Sequence, residues 1–259
     1  MRGEPRAVRI DAASHSDSGR HLMTLITVVL ASASPARLRV LRSAGLAPQV
    51  RVSSVDEDTV AGQLGAVLPR DIGLALAVAK ARDVAATLAT DVEFSGRRVL
   101  VLGCDSLLEV DAVALGKPAD ADVARRRWVQ LSGRSGLLHT GHALIDVAPD
   151  GEVTSERAAV ASTLVRFGRP SSEEIEAYLG TGEPLQVAGS FTIDGLGAAF
   201  IDGIDGDHTN VIGVSLPLVR RMVTETGLQW TDLWTPDSRV MPSGDGPDAN
   251  PTTADQYPR

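Results

Sequence analysis

Residues 25–37 read LITVVLASASPAR, an apolar run that passes directly into the start of a helix. The run 25–31 is continuous and rich in β-branched residues, which is typical of a strand buried on both faces. Ser34 then stands where a helix N-cap is expected, Pro35 follows at the first helical position, and Gly45 suits a C-terminal cap. The stretch predicts a β-strand followed by a helix, the unit from which α/β folds are built.

Strand-like and helix-like patterns alternate along the rest of the chain. The predicted strands are 49–53, 98–102, a hairpin within 107–115, 137–147, 153–167 and 198–204. The predicted helices are 35–42, 71–88, 121–131, 173–179 and 216–226, the fourth preceded by a capping box of Ser171 and Glu174. Because βα units and hairpins are mixed, we expect an α/β fold with a mixed sheet and helices on its faces.

The composition excludes several classes of protein. A net charge of -8 argues against a nucleic-acid partner, which needs a basic surface. The single cysteine, Cys104, excludes a disulfide framework within the chain, and no apolar run approaches the ~18 residues that suggest a membrane span. We therefore expect a soluble, cytoplasmic protein with no membrane partner.

The two ends of the chain lack the apolar periodicity of the middle. Residues 1–23 mix Arg, Asp, Ser and His, and residues 236–259 are dominated by Pro, Asp, Ser, Gly and Thr. Such segments do not bury enough apolar surface to offset the entropy of ordering. The sequence predicts disordered extensions around one domain at 24–235.

Lysine is rare in this chain. Of its 25 basic residues, only Lys80 and Lys117 are lysines, and the others are arginines. A compact ammonium and a planar guanidinium are not equivalent beside a crowded phosphate, so these two positions are candidates for function. Chance is the simpler interpretation, as is a solvated helix position for Lys80.

Two groups of residues are candidates for phosphate chemistry. Ser32, Ser34 and Arg37 surround a predicted helix start, where free backbone N–H groups attract anions. Asp105 follows the predicted strand 98–102, and Glu57 lies in VDED (55–58), which predicts an acidic loop. Mg²⁺ commonly takes one or two carboxylates together with substrate phosphates, so these two acids suffice for a metal. An ordinary N-cap, a turn-forming Asp and a solvated loop are the alternatives.

The other reactive side chains give weaker indications of a functional role. His139 and His142 are three residues apart in a predicted strand and so point to opposite faces, which disfavours a shared metal. Cys104 has no nearby candidate base and is interpreted as a small buried residue.

The ordered set of motifs resembles the Maf family of nucleoside triphosphate pyrophosphatases and spans the predicted domain. The segments that carry the resemblance are 30–37 (LASASPAR), 55–58 (VDED), 79–81 (AKA), 103–106 (GCDS), 115–118 (LGKP), 131–133 (LSG), 139–141 (HTG), Tyr178 with 182–184 (GEP), 188–191 (AGSF) and 210–218 (NVIGVSLPL).

The resemblance implies an elongated Maf/inosine-triphosphatase-like fold with a nucleotide-binding cleft, often in a homodimer. It implies cleavage of a nucleoside triphosphate between the α and β phosphates, with Mg²⁺ or Mn²⁺ as cofactor. By motif position, Asp105 is the expected proton acceptor, and Glu57 and Asp105 are expected to hold the metal. The expected substrate-binding residues are Ser32, Ser34, Arg37, Lys80 and Lys117.

The positions that the resemblance assigns to base selection match neither known branch of the family. They are Ala36, Ser106 and Asp194 here, where the dTTP/UTP branch carries Arg, Thr and Gln and the 7-methyl-GTP branch carries Trp, Gln and Glu. Asp194 can only accept hydrogen bonds when ionised, which favours a base edge that offers N–H donors. The base stays open, and modified nucleotides are among the expected substrates.

Two other functions are compatible with the sequence. One is a non-hydrolysing nucleotide-binding regulator linked to cell division, against which the acids Glu57 and Asp105 count. The other is a phosphatase that removes the terminal phosphate.

Overall fold

The computed structural model describes residues 26–65, 67–88 and 90–235. The segments predicted to be disordered, 1–23 and 236–259, lie outside these residues, which cover most of the predicted domain 24–235.

Seven strands and seven α-helices occur in the described residues, which confirms the expected α/β class. The strands are Ile26–Leu30 (β1), Gln49–Val50 (β2), Arg98–Val110 (β3), Val113–Leu115 (β4), Ser135–Val147 (β5), Val153–Phe167 (β6) and Ile201–Asp205 (β7). The helices are Pro35–Ser43 (α1), Glu57–Leu64 (α2), Pro69–Leu88 (α3), Ala121–Leu131 (α4), Ser172–Gly180 (α5), His208–Ile212 (α6) and Leu216–Thr224 (α7). Within the described chain, none of these helices has the length and apolarity needed to cross a membrane.

The strands form one mixed sheet in the order β2-β1-β3-β5-β6-β7, with β4 paired to β3. β1 runs parallel to both β2 and β3, whereas the pairings of β3 with β4 and β5, of β5 with β6, and of β6 with β7 are antiparallel. The predicted mixed sheet is therefore confirmed.

Local capping signals were reliable. The Ser34 side chain accepts the backbone N–H of Arg37, and Pro35 opens α1. At α5, the Ser171 hydroxyl and the Glu174 carboxylate form the predicted capping box. Both signals depend on residues within one helical turn, so they can be identified without knowledge of tertiary contacts.

The prediction that a strand ends at residue 102 was wrong. β3 continues to Val110, because antiparallel pairing with β5 supplies hydrogen-bond partners from Val99 to Glu109. Asp105 therefore lies within a strand and not at its carboxyl end.

Three other predicted boundaries also changed. Residues 57–58 open α2 instead of forming a loop, because the Asp56 side chain caps the helix at the N–H of Thr59, 3.1 Å away. The predicted strand 49–53 shortens to β2, since its partner β1 ends at Leu30. The predicted strand 198–204 divides into a 3₁₀ turn over Leu196–Phe200 and β7, because pairing with β6 begins at Ile201.

Three clusters of buried side chains form the core. Leu100, Leu102 and Cys104 point to one face of β3 and pack with residues of α1 and α7. Val99 and Val101 point to the other face, beneath α3. The third cluster surrounds Trp128 and joins the far end of β3 to α4 and α5; its buried members are Leu108, Val110, Ala124, Trp128, Leu131, Leu138, Val165, Phe167, Ile175, Tyr178, Leu179 and Phe191.

Glycines bring α3 against the sheet without intervening side chains. A Cβ on Gly103 would lie 2.3 Å from the carbonyl oxygen of Ala77, and a Cβ on Gly141 would lie 2.3 Å from that of Gly73. Because no Cβ separates the backbones, α3 sits close to β3 and β5, and Lys80 on α3 comes level with the sheet.

Candidate functional site

One edge of β3 has a gap in its strand pairing, and the candidate site surrounds that gap. β5 occupies the other edge along almost all of β3. On the gapped edge, β1 pairs with residues 98–102 and β4 pairs with residues 108–110. Residues 103–107 have no strand partner on this side within the described chain. Asp105 and Ser106 both belong to this unpaired stretch.

The gap gives access to both faces of the sheet, because consecutive strand residues point in opposite directions. Ser106 points to the face of α1, where it contacts Arg37. Asp105 points to the face of α3, where it contacts Lys80. The candidate site therefore has two groups of side chains, one on each face of β3.

Arg37 is the centre of the group on the α1 face. Its guanidinium is buried and donates from Nη1 to Ser32 Oγ at 2.9 Å, from Nη2 to Ser106 Oγ at 3.1 Å and from Nε to the Gly213 carbonyl at 2.8 Å. All three acceptors are neutral, and no carboxylate of the described residues forms an ion pair with Arg37. A buried cation without a counter-ion favours the binding of an anion.

The two serines at the start of α1 already have partners. The Ser32 hydroxyl accepts from Arg37 and from the backbone N–H of Ser34 at 3.2 Å, and Ser34 caps the helix. Because Pro35 has no N–H and the Arg37 N–H is capped, the helix start offers fewer free donors than its sequence suggests.

Lys80 is the centre of the group on the α3 face. Its Nζ lies 2.6 Å from Asp105 Oδ1 and 2.7 Å from Glu57 Oε1. Lys80 is only 7% exposed, so the simpler interpretation of a solvated helix lysine was wrong. The geometry places three of the predicted site residues in direct contact, although α2, α3 and β3 each supply only one of them.

Opposing influences act on the Asp105 carboxyl. Burial raises its pKa above the ordinary value, and the charge of Glu57 acts in the same direction. The cations Lys80 and Arg37 lower the pKa but do not cancel the effect of burial. A carboxylate with a raised pKa is a better proton acceptor than an exposed one.

The donor set on the α3 face fits a hard divalent cation. Glu57 and Asp105 converge on one point, the ammonium of Lys80, and carboxylate oxygens are the ligands that Mg²⁺ and Mn²⁺ prefer. No group of three or more His, Cys, Asp or Glu side chains suited to a metal occurs among the described residues. The other ligands would have to be phosphate oxygens and water, as is common for Mg²⁺.

Lys117 lies in the loop that follows β4, at the far end of the gap. The carbonyl of Gly116 accepts from Arg127 Nη1 at 2.7 Å and from the backbone N–H of Gly189 at 3.2 Å, and Pro118 is buried. Gly116 also lies against the side chain of Leu107 on β3. The loop is thus anchored on both sides of Lys117, whose own side chain is exposed.

The three positions expected to select the base lie in different environments. Ser106 accepts from Arg37 and is 2.9 Å from Thr140 Oγ1, within a partly buried network. Asp194 forms an ion pair with Arg39 at 3.0 Å, so part of its acceptor capacity is already used. Ala36 stands one helical turn before Arg39 on α1, which places both residues on the side of α1 that Asp194 approaches.

Several polar residues that support the site were not predicted. Thr140 donates to the Asn210 carbonyl at 3.1 Å, and His142 Nε2 accepts the backbone N–H of Ser215 at 2.7 Å. Both lie in β5 and reach segments about 70 residues away along the chain. These residues belong to the motifs HTG and NVIGVSLPL, but their roles depend on strand register, which local sequence does not reveal.

The interpretation of Cys104 was confirmed. Its side chain is fully buried, and burial raises the pKa of the thiol to about 12, so it is not a thiolate nucleophile at neutral pH. His139 contacts Ser162 and Glu109, whereas His142 contacts Thr140 and Ser215, so the two histidines do not share a site.

Comparison with known proteins finds similarity over most of the chain. Residues 27–226 match the family described as Maf-like protein. A nucleoside triphosphate pyrophosphatase of Streptomyces avermitilis is 56% identical over 211 residues, which cover 81% of this chain and 95% of that protein. Proteins of the same name from Streptomyces coelicolor and Rhodococcus erythropolis are 55% and 50% identical, over 81% and 80% of this chain and 95% and 96% of theirs.

Proposed function

Because the chain belongs to the Maf family, we propose that it is a nucleoside triphosphate pyrophosphatase. The proposed reaction is hydrolysis between the α and β phosphates, which releases a nucleoside monophosphate and pyrophosphate. The names of relatives that are 50–56% identical support hydrolysis of nucleoside triphosphates, and the residues around the gap in β3 support the chemistry.

The observation that carries the proposal is the pairing of Asp105 with Lys80 beside a buried Arg37 that has no counter-ion among the described residues. A triphosphate carries about three to four negative charges, which must be offset before a nucleophile can approach phosphorus. Arg37 supplies a cation at the gap that forms no ion pair in the described residues, and Lys117 supplies another at its far end. The charge of Lys80 is shared with Glu57 and Asp105.

Asp105 is proposed as the proton acceptor. A water molecule held by the Asp105 carboxylate attacks the α phosphorus and gives its proton to Asp105. The bond between the α phosphorus and the oxygen that bridges it to the β phosphate then breaks. The electron pair of that bond leaves with pyrophosphate. Lys80 orients Asp105 and offsets the charge that develops on the phosphate oxygens.

We propose that Glu57 and Asp105 hold Mg²⁺ or Mn²⁺. When bound, the cation supplies positive charge to the phosphate oxygens and makes water more acidic. Before it binds, Glu57 and Asp105 together carry one more negative charge than Lys80 offsets, which supports a cation there.

The remaining assignments concern substrate binding. We propose that Ser32, Ser34, Arg37, Lys80 and Lys117 contact the triphosphate and that Ala36, Ser106 and Asp194 contact the base. Since this set differs from both known branches, a modified or non-standard nucleotide is within the proposed range.

The proposal is tested by product identity. The purified protein is incubated with standard and modified nucleoside triphosphates, with Mg²⁺, with Mn²⁺ and with EDTA, and pyrophosphate and orthophosphate are measured separately. We expect pyrophosphate from the wild type only with a divalent cation. Asp105→Asn should lose about 10²–10⁴-fold in kcat and still bind nucleotide. Asp202→Asn, which removes an exposed carboxylate on β7, is the matched control and should retain full activity.

Other outcomes would contradict parts of this proposal. Orthophosphate as the only product would identify a terminal phosphatase, and nucleotide binding without any product would favour the regulator linked to cell division. Near-normal turnover by Asp105→Asn would remove Asp105 from the proposed mechanism.

We also propose that the protein is a cytoplasmic homodimer, as the family resemblance implies. Light scattering on a size-exclusion column should give twice the chain mass of 27.2 kDa. A mass of one chain at micromolar concentration would contradict this assembly.

A further inference from the structure

The helix that carries Glu57 has little hydrophobic attachment to the rest of the fold. None of the eight residues of α2 is buried, and the Glu57 side chain is 57% exposed. An element that buries so little apolar surface gains little from the hydrophobic effect. Polar contacts must therefore determine where α2 places Glu57.

One such contact lies just before α2. The carboxylate of Asp83 accepts the backbone N–H of Ser54 at 2.7 Å and the Ser54 hydroxyl at 3.0 and 3.2 Å. Hydrogen bonds to an ionised carboxylate are stronger than those between neutral groups. Asp83 thus clamps both the main chain and the side chain of Ser54.

The contact between Asp83 and Ser54 lies on the same side of α3 as the candidate site. Asp83 follows Lys80 by three residues on α3, so both side chains lie on the same side of that helix. Glu57 likewise follows Ser54 by three residues. The same side of α3 therefore holds this segment at two points, Ser54 through Asp83 and Glu57 through Lys80.

The chain between the two points has little freedom of its own. Asp56 caps α2 by accepting the N–H of Thr59 at 3.1 Å and its hydroxyl at 2.8 Å, which fixes the turn that begins with Glu57. Once Ser54 is held, the cap determines the direction in which Glu57 leaves the main chain. Without Asp83, the main remaining polar attachment among the described residues is the ion pair of Glu57 with Lys80. The carboxylate end of this pair is exposed, so solvent screens it and weakens its hold on α2.

We propose that Asp83 is a positioning residue that fixes Ser54 and thereby places the Glu57 carboxylate beside Lys80 and Asp105. This inference rests on the proposed function, because it concerns the acid assigned to the divalent cation. Asp83 itself touches neither Lys80 nor Asp105 in the contacts of the described residues and acts only through the segment 54–57.

The first test does not depend on activity. Hydrogen–deuterium exchange is measured for peptides covering residues 57–64 in the wild type, in Asp83→Ala and in Asp202→Asn. Asp202→Asn is the matched control, because it removes an exposed carboxylate that lies on β7, outside both α2 and α3. We expect exchange in this segment to be about threefold to tenfold faster in Asp83→Ala only. Unchanged exchange in Asp83→Ala would overturn the proposal.

The second test follows pyrophosphate release as Mn²⁺ is titrated. Asp83→Ala should raise the half-activating Mn²⁺ concentration about fivefold while kcat at saturating Mn²⁺ stays within about twofold of wild type. Asp83→Asn keeps an oxygen that can accept the Ser54 N–H, so it should recover most of the loss. Asp202→Asn should behave as wild type.

A double-mutant cycle identifies the path of the effect. If Asp83 acts through Glu57, Glu57→Gln should cost clearly less in the Asp83→Ala background than in the wild type. If the fold-losses of Glu57→Gln and Asp83→Ala simply multiply in the double variant, the proposal is overturned. Absence of pyrophosphate from the wild type would instead reject the proposed function, and the exchange measurement would still decide whether Asp83 places α2.

Discussion

Arg37 and Lys80 are both buried cations, yet their surroundings differ in charge. Within the part of the chain that the structure describes, Arg37 donates to neutral oxygens only, whereas Lys80 contacts the carboxylates of Glu57 and Asp105. The α1 face of the gap therefore carries a net positive charge and the α3 face a net negative one. A triphosphate with a divalent cation suits this arrangement, because the phosphates can meet Arg37 while the cation meets the carboxylates.

His142 is a second residue whose burial has a measurable consequence. Its Nδ1 lies 2.9 Å from the Thr140 carbonyl, and its Nε2 accepts the N–H of Ser215, so the neutral ring with a proton on Nδ1 satisfies both partners. Burial lowers its pKa from 6.5 to about 4; Arg37 acts in the same direction, whereas the Thr140 carbonyl and Asp207 oppose the shift.

Because of His142, the free energy of unfolding should decrease as the pH is lowered. Between pH 6.5 and about 4 the unfolded chain binds a proton at this residue and the folded chain does not, so acidification favours unfolding. The lost stability amounts to about 2 kcal/mol between pH 7 and pH 5. Urea unfolding of the wild type and His142→Gln at the two pH values measures it, and the variant should lose correspondingly less. Equal losses in the two proteins would show that His142 is not responsible.

At the scale of elements, the contact between α3 and the sheet is the feature on which the site depends. Gly73 and Ala77 on α3 lie against Gly141 and Gly103, so the helix and strand backbones touch. Lys80 reaches Asp105 at 2.6 Å because of this approach. Any side chain added at the contact has to push α3 outward and with it Lys80.

Gly141→Ala should therefore destabilise the protein. The new Cβ would lie 2.3 Å from the Gly73 carbonyl oxygen and 2.6 Å from the Leu74 Cα, and these backbone atoms have no side-chain freedom with which to yield. We expect a loss of about 2–4 kcal/mol in the free energy of unfolding. Gly180→Ala is the matched control, since nothing lies within 4 Å of its Cβ and the change should be within about 1 kcal/mol. Urea unfolding compares the two, and similar midpoints would contradict close backbone packing.

At the scale of the whole molecule, the gap in β3 separates two parts of the core. The clusters beneath α1, α7 and α3 lie on the β1 side of the gap, and the cluster around Trp128 lies on the β4 side. Residues from both parts border the gap, with Arg37 and Lys80 on one side and Lys117 on the other. A ligand in the gap would contact both parts and so stabilise the fold as a unit.

A triphosphate whose α–β bond resists hydrolysis should raise the melting temperature in the presence of Mg²⁺. Binding to the folded state alone stabilises by about 2.7 kcal/mol at a ligand concentration of 100 times Kd. Lys117→Ala should reduce this rise without changing the melting temperature of the free protein, because the Lys117 side chain is exposed. Differential scanning fluorimetry measures both quantities. An undiminished rise in Lys117→Ala would exclude a contact between Lys117 and the triphosphate.

The features that the sequence determined by itself are those that depend on neighbouring residues. Hydrophobicity determines the apolar run at β1 and the burial of Cys104. Hydrogen bonds within one turn determine the Ser34 cap and the capping box of Ser171 and Glu174. The ordered motifs likewise identified the family before any contact was known. These signals are local, so no knowledge of distant partners was needed to interpret them.

Only the tertiary structure decided how the site residues meet. Asp105 lies within a strand because β5 pairs with β3, and Glu57 reaches Lys80 because α2 forms where a loop was predicted. Arg37 meets the carbonyl of Gly213, 176 residues away along the chain. Such contacts depend on strand register and on helix–sheet distance, which arise from packing the whole core and are not encoded in any short segment.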